Sequence, residues 1–144
     1  MKIVYITGCF GFIGSHFTRK CLARGWKVFG VDKLTYDCYY VVNFAAESLV
    51  GNSIINSDHF MDTNIIGTKN LLELIKNKPS NCTERPVLLH ISTDEVYGDI
   101  LSGEHIETDI LHPSNPYSAS KAAADMLILA WARTYGVNYL IVRP

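Results

Sequence analysis

Thr7-Gly8-Cys9-Phe10-Gly11-Phe12-Ile13-Gly14 decides the fold of this chain. The glycines are spaced G-x-x-G-x-x-G, after a β-rich run at 2–7 and before a helical run at 12–23. In a strand–turn–helix unit, Gly8 permits the tight turn and Gly11 lets the backbone approach a pyrophosphate. Gly14 lets the helix pack closely on the strand. The helix then turns free N–H groups and the positive end of its dipole toward phosphate. A second strand at 27–32 ends in Asp32, 18 residues after Gly14. A carboxylate there can accept from a ribose hydroxyl, which favours NAD over NADP, although the neighbouring Lys33 could attract a 2′-phosphate instead. The bland alternative is a set of glycines that serves only a tight βα turn.

Outward from this unit, short apolar runs alternate with amphipathic ones. Strands are expected at 39–46, 86–93 and 138–142, and helices at 57–76 and 116–135. In the helix at 57–76, Ile65, Ile66, Leu71, Leu72 and Ile75 recur close to the helical period. In the helix at 116–135, Pro116 suits the first turn and Ser114 or Asn115 can cap it. Polar loops fill 77–85 and 102–114. Alternating strands and helices predict an α/β domain, a doubly wound and mostly parallel sheet of the Rossmann-like kind. One junction conflicts with it. Only six residues, 33–38, separate the second strand from the third. A parallel crossover needs about a dozen or more, usually with a helix. Either that pair is antiparallel or one βα unit is missing near 37–38, and the second alternative is the expectation.

The composition bounds the function. With 144 residues the chain is expected to form one dinucleotide-binding domain, incomplete at that junction. A net charge of −1 without a basic run points away from nucleic acid and anionic membrane as partners. No apolar stretch approaches the ~20 residues of a membrane span, and no secretory signal pattern opens the chain. Cys9, Cys21, Cys38 and Cys82 lie far apart without a C-x-x-C, and the five histidines lack metal-ligand spacing. Reduced thiols in a cytoplasmic protein with no metal are the plain expectation. Asn81-Cys82-Thr83 fits a glycosylation sequon that such a location would leave unused.

Two constellations carry chemistry. Tyr117 and Lys121 stand four apart at the head of the helix at 116–135, so phenol and ammonium share a face. A nearby cation favours the phenolate. A phenol ionises near pH ~10, and its use as a base near neutrality requires a drop of about three units, or roughly 4 kcal/mol. A lysine rarely supplies that alone; a cationic nicotinamide ring beside the phenol would supply more. Thr93-Asp94-Glu95 follows the buried strand, at the carboxyl edge where open parallel sheets bind ligands. Two adjacent carboxyls can divide acid and base roles if their surroundings separate their pKa values. The plain alternatives are a solvated helix face for the first pair and a turn of solvated acids for the second.

With G-x-x-G-x-x-G, Thr-Asp-Glu-Val-Tyr-Gly (93–98) and Tyr-x-x-x-Lys in that order, the chain resembles the extended short-chain dehydrogenase/reductase superfamily. More narrowly it is similar to the dTDP-glucose 4,6-dehydratase family, the lyases of dTDP-rhamnose biosynthesis. Val31 to Tyr36, Asn43-Phe44-Ala45-Ala46-Glu47-Ser48, Thr63 to Thr68 and Asn115 to Lys121 also support the likeness. The resemblance implies that NAD lies against the glycine turn, Asp32, Lys33, Ala45, Ala46, Tyr117 and Lys121. It implies a nucleoside-diphosphate hexose near Glu47, Ser48, Thr93, Asp94, Glu95 and Tyr117. In the implied cycle Tyr117 takes the proton of the 4-hydroxyl while hydride passes from C4 to NAD. Lys121 lowers the phenol pKa and holds the nicotinamide ribose, and Thr93 binds the C4 oxygen. Glu95 removes the C5 proton, Asp94 protonates the departing 6-hydroxyl, and hydride returns to C6. A homodimer of the full-length form is implied as well.

The departures are specific. Leu49 and Gly51 stand where the family carries a His and an Asp. The adenine-contacting pair of the family's third strand has no counterpart before Cys38, and the family's C-terminal substrate domain has none after Pro144. A sugar-nucleotide epimerase or decarboxylase, and a truncated dinucleotide-binding module without turnover, remain as alternatives. Epimerases of the superfamily usually lack both acids at Asp94-Glu95.

Overall fold

Strand β1 (Ile3–Thr7) is the hub of the sheet. In the computed structural model, which describes residues 2–9, 12–30, 40–77 and 85–144, it pairs in parallel with β2 (Lys27–Gly30) on one side and β3 (Tyr40–Asn43) on the other. Strands β4 (Val87–Ile91) and β5 (Tyr139–Val142) extend the sheet in the order β2-β1-β3-β4-β5, all parallel. This is the expected doubly wound α/β sheet. Since β2 and β3 both run parallel to β1, the antiparallel alternative for the short junction is excluded. The junction itself, 31–39, lies outside the described residues, as do Asp32, Lys33 and the suspected gap at 37–38.

Side chains alternate across the strands and define two core layers. On one face Val4, Ile6 and Val42 pack with Cys21 and Phe17 of α1 (Phe12–Ala23). On the other, Val41 and Leu88 pack with Leu72 and Ile75 of α4 (Gly67–Lys76) and Ile128 of α5 (Pro116–Tyr135). Full burial of each such aliphatic side chain contributes roughly 1.5–3 kcal/mol.

Helix α5 is closed at both ends by its own sequence. The Asn115 side chain accepts from the Ser118 N–H at 2.9 Å, and Ser118 Oγ accepts from the Asn115 N–H at 3.2 Å. Of the two capping candidates, Asn115 therefore caps the helix. Gly136, at φ +67°, ends it in the left-handed conformation.

Three elements differ from expectation. The third strand is shorter than 39–46: after Asn43 the chain leaves the sheet and runs without regular structure to Leu49. A short helix α2 (Val50–Ile55) precedes the long helix. It escaped the sequence reading because Gly51, Asn52 and Ser53 are poor helix formers and its Leu49 cap makes no side-chain bond. The expected long helix starts as α3 (Asp58–Phe60), passes through a π-helical stretch, Met61–Ile66, and continues as α4. Among the described residues no helix is long and apolar enough to cross a membrane.

The sheet register lines up Thr7, Asn43 and His90 on one face, Thr7 opposite Asn43 and Asn43 opposite His90. Their side chains join: the Thr7 hydroxyl donates to Asn43 Oδ1, and Asn43 Nδ2 lies 3.1 Å from His90 Nδ1. Burial, reinforced by the Lys121 charge, pushes the His90 imidazole down to about 3.

Two outcomes follow from this packing. A Cβ on Gly14 would strike the backbone carbonyl of Gly8, so Gly14→Ala is expected to destabilise the chain by about 2 kcal/mol despite alanine's better helix propensity, read as a lower thermal midpoint. His90 binds its proton at a higher pH when unfolded (~6.5) than when folded. Stability is therefore unaffected by His90 above that pH and falls as pH drops from about 6.5 toward 3. The loss is about 1.4 kcal/mol by pH 5.5, and His90→Gln should flatten the thermal midpoint's pH dependence between pH ~6.5 and ~5.

Candidate functional site

At the carboxyl edge of the sheet a crevice of about 410 Å³ opens between the glycine turn and the head of α5. Gly8 and Gly14 line one side, Phe44, Ala46 and Ser48 the next, and Thr93, Tyr117 and Lys121 the last. Gly8 has φ +67°, and a Cβ on it would come within 3.0 Å of the Ala45 amide nitrogen. Gly8 therefore packs directly on the backbone of the loop after β3, with no room for a side chain. Phe12 and Ile13 lie in the first turn of α1, and Ala45 lines a smaller cavity of about 280 Å³ behind β3. Phe10 and Gly11, like Asp32 and Lys33, fall outside the described residues.

The Thr93–Glu95 stretch turns directly from β4 into a single 3-10 turn, Asp94–Tyr97. Thr93 caps it: its hydroxyl oxygen accepts from the Glu95 N–H at 3.3 Å, and the hydroxyl donates to Asp94 Oδ1 at 3.3 Å. Glu95 is held from the far side, where Asn115 Nδ2 donates to its Oε2 at 3.1 Å. The cap of α5 thus also orients a carboxylate of the preceding turn. Asp94 is exposed and Glu95 half-buried.

Tyr117 is 8 % exposed, and its N–H donates to Ser53 Oγ at 3.2 Å. Burial raises its phenol pKa, a hydrogen bond with Thr93 opposes that, and the charges of Glu95 and Asp94 raise it further. Thr93 and Tyr117 line the same crevice, and the two carboxylates of the turn act on the phenol through their charge. Lys121 is 2 % exposed and its ammonium is turned to the sheet, donating to the Ile91 carbonyl at 2.7 Å beside His90 Nε2 at 3.5 Å. Tyr117 and Lys121 line one crevice, but the lysine's hydrogen bonds go to β4. Burial lowers the Lys121 pKa to about 8, and the Asp125 charge acts in the opposite direction.

Ser48 reaches the crevice, whereas Glu47 is exposed at its margin. The Glu47 backbone is clamped by Asn64, whose side chain accepts from its N–H at 2.9 Å and donates to its carbonyl at 3.0 Å and to Ser120 Oγ at 2.8 Å. Asn64 projects from the π-helical stretch and is 1 % exposed. It ties the loop after β3 to the helix that bears Tyr117. Ser53, Asn43 and His90 were missed outright. Their only sequence signal is a polar residue at a strand end or on a short helix. Leu49 and Gly51 are exposed and offer no polar side chain to the site.

The geometry agrees with what comparison with known proteins finds. Residues 34–144 match the family model described as GDP-mannose 4,6 dehydratase. Residues 4–39 match that of the NAD dependent epimerase/dehydratase family, and the two matches meet in the short junction. A probable dTDP-glucose 4,6-dehydratase of Sinorhizobium fredii is 35% identical over 179 residues, covering 96% of this chain and 51% of that protein. That alignment is longer than the 144-residue chain, so the relative has residues without counterpart here. The dTDP-glucose 4,6-dehydratase of Mycobacterium tuberculosis is 45% identical over 114 residues, 77% of this chain and 33% of its own. The chain thus spans between a third and about half the length of these relatives. Among solved structures, the dTDP-glucose 4,6-dehydratase DesIV of Streptomyces venezuelae, crystallised with NAD, superposes with a TM-score of 0.83 at 31% identity, over 98% of this chain and 55% of that one. RMD of Pseudomonas aeruginosa, complexed with NADPH, superposes at 0.84 with 28% identity, over 100% and 53%. With Gly8, Gly14, Thr93 and the buried Tyr117 on one crevice, the chain belongs to the nucleotide-sugar dehydratases of the NAD-dependent epimerase/dehydratase family, within the short-chain dehydrogenase/reductase superfamily.

Proposed function

We propose that this chain is the cofactor-binding portion of an NAD-dependent dehydratase that converts a nucleoside-diphosphate hexose, dTDP-glucose in the first instance, to its 4-keto-6-deoxy product. The observation behind this reading is that Thr93 and Tyr117 line one crevice while Asp94 and Glu95 follow Thr93 in the adjoining turn, Glu95 being bound to the cap of the helix that bears Tyr117. An oxidation or epimerisation at C4 needs only the hydroxyl and the phenol. Two further acids beside them suit the loss of water from the neighbouring carbons.

The residues fit a dinucleotide: Gly8 and Gly14, which offer no side chain, line the crevice at one side and Tyr117 and Lys121 at the other. Bound there, NAD would accept hydride from C4 of the sugar and give it back at C6. Tyr117, as phenolate, takes the proton of the 4-hydroxyl, and Thr93 donates to the C4 oxygen. The 4-ketone acidifies C5–H; Glu95, fixed by Asn115, removes that proton. Asp94, its partner in the turn, protonates the leaving 6-hydroxyl, and water departs. The chain's own groups push the Tyr117 phenol up, and Lys121 bonds to β4. A ligand's cation beside the phenol would bring it into range, which suits an oxidised nicotinamide. Ser48 and Glu47 stand at the margin nearest the sugar nucleotide. Exposed Leu74 on α4 and Met126 and Leu129 on α5 support a homodimer of the full-length protein through these helices.

The test is product analysis with dTDP-glucose and NAD, on the full-length protein and its variants. A product lighter by one water supports the reading; an epimer of unchanged mass, or bound cofactor without turnover, overturns it. Tyr117→Phe should reduce the initial oxidation by roughly 10²–10⁴-fold. Asp94→Asn should leave reduced cofactor forming but slow the loss of water by a similar factor, seen as accumulation of the reduced-nicotinamide absorbance.

A further inference from the structure

Behind Lys121 lies a buried polar cluster that the proposed chemistry does not use. Asp125, one helical turn after Lys121, is fully buried. Its Oδ2 accepts from Ser92 Oγ at 3.0 Å and from Arg143 Nε at 2.9 Å. Arg143 also donates to the Tyr97 hydroxyl at 2.5 Å. Asp125 Oδ1 has no hydrogen-bond partner closer than His90 Nε2, 3.9 Å away. His90 Nε2 is in turn 3.5 Å from Lys121 Nζ. The imidazole is thus wedged between an ammonium and a carboxylate.

The row across the sheet decides which way the imidazole faces. The Thr7 hydroxyl donates to Asn43 Oδ1, so the Asn43 amide nitrogen is the atom beside His90 Nδ1. With the Asn43 amide in this orientation its nitrogen donates and Nδ1 accepts, which assigns the ring proton to Nε2. An N–H at Nε2 cannot accept from Lys121. It faces Asp125 Oδ1, the oxygen of that carboxylate left over, across 3.9 Å.

We propose that Asp125 and His90 are positioning residues for Lys121: the buried carboxylate supplies the ammonium's counter-charge from behind the site, and the neutral imidazole, fixed as the Nε2–H tautomer, keeps the two from closing into a direct ion pair. Lys121 then stays charged at the floor of the crevice rather than folding back onto its own helix. The inference rests on the reading of Tyr117 and Lys121 as the reactive pair and adds what holds the lysine there. The charged and titratable groups around the ammonium are His90 from β4, Asp125 and Tyr117 from its own helix, Asp94 and Glu95 beyond the phenol, and Arg143 and Tyr97 beyond Asp125. Arg143 already neutralises one oxygen of Asp125. Burial raises the Asp125 pKa, and the Arg143 and Ser92 bonds draw it back.

The test needs neither cofactor nor substrate, so it can fail while the proposed reaction stands, and the reverse. NMR shifts of the His90 ring nitrogens in the unmodified chain are expected to show Nε2 protonated and Nδ1 bare; an Nδ1–H ring overturns the proposal. The Cε shift of Lys121, followed through its titration, is expected to have its midpoint near 8. Asp125→Asn should lower that midpoint by about one pH unit, a tenfold increase in neutral amine at a fixed pH below it, and Asp125→Glu should restore it. A folded Asp125→Asn whose Lys121 midpoint is unchanged overturns the proposal. A purely structural role for the cluster would change stability and leave that titration where it was. If Asp125→Asn does not fold, the ring tautomer of the unmodified chain decides.

Discussion

The register of three parallel strands, with Thr7 opposite Asn43 and Asn43 opposite His90, sets the position of everything at the carboxyl edge. Because side chains alternate, a slip of one residue in β3 would send Asn43 to the α1 face and bring Val42 into the polar row. With the register as it is, three polar side chains satisfy one another under α4 and α5, where isolated polar atoms would be costly. The same alignment stops β1, β3 and β4 at one level. The glycine turn, the loop carrying Ala46 and Ser48, and the Thr93 turn therefore open side by side. Helix α5 completes the crevice because its cap, Asn115, is bound to Glu95 of the neighbouring turn.

Electrostatics in the crevice works mostly against the phenolate, while the lysine there is anchored to β4. Burial and the charges of Glu95 and Asp94 work against ionisation of Tyr117, with Thr93 alone working for it. Lys121 is spent on a backbone carbonyl of β4.

Much of this was legible in the sequence. The glycine spacing, the β-rich runs and the helical period gave a parallel doubly wound sheet. Tyr117 and Thr93 at an element's head and a strand's end were recognisable as residues of a common edge. Three features were not legible, each for a physical reason. The direction of the Lys121 side chain depends on a carbonyl of another element, which spacing along one helix cannot reveal. The clamp of Asn64 on Glu47 depends on a π-helical turn, and hydrophobic period over 57–76 averages across it. His90 and Asp125 are polar residues in apolar surroundings, read from sequence as interruptions of a core pattern; only the strand register shows that they have partners.

The π-helical stretch Met61–Ile66 has a consequence for chain length. A π turn accommodates one residue more than an α turn between flanking helices that keep their own phase. Loss of a single residue there would close an ordinary α turn. Phe60 on one side and Leu72 and Ile75 on the other would still face inward, while the amide of Asn64 would swing away from the loop it grips. The segment is therefore a place where evolution can add or delete one residue without unpacking the domain, and where doing so would loosen the margin of the crevice alone.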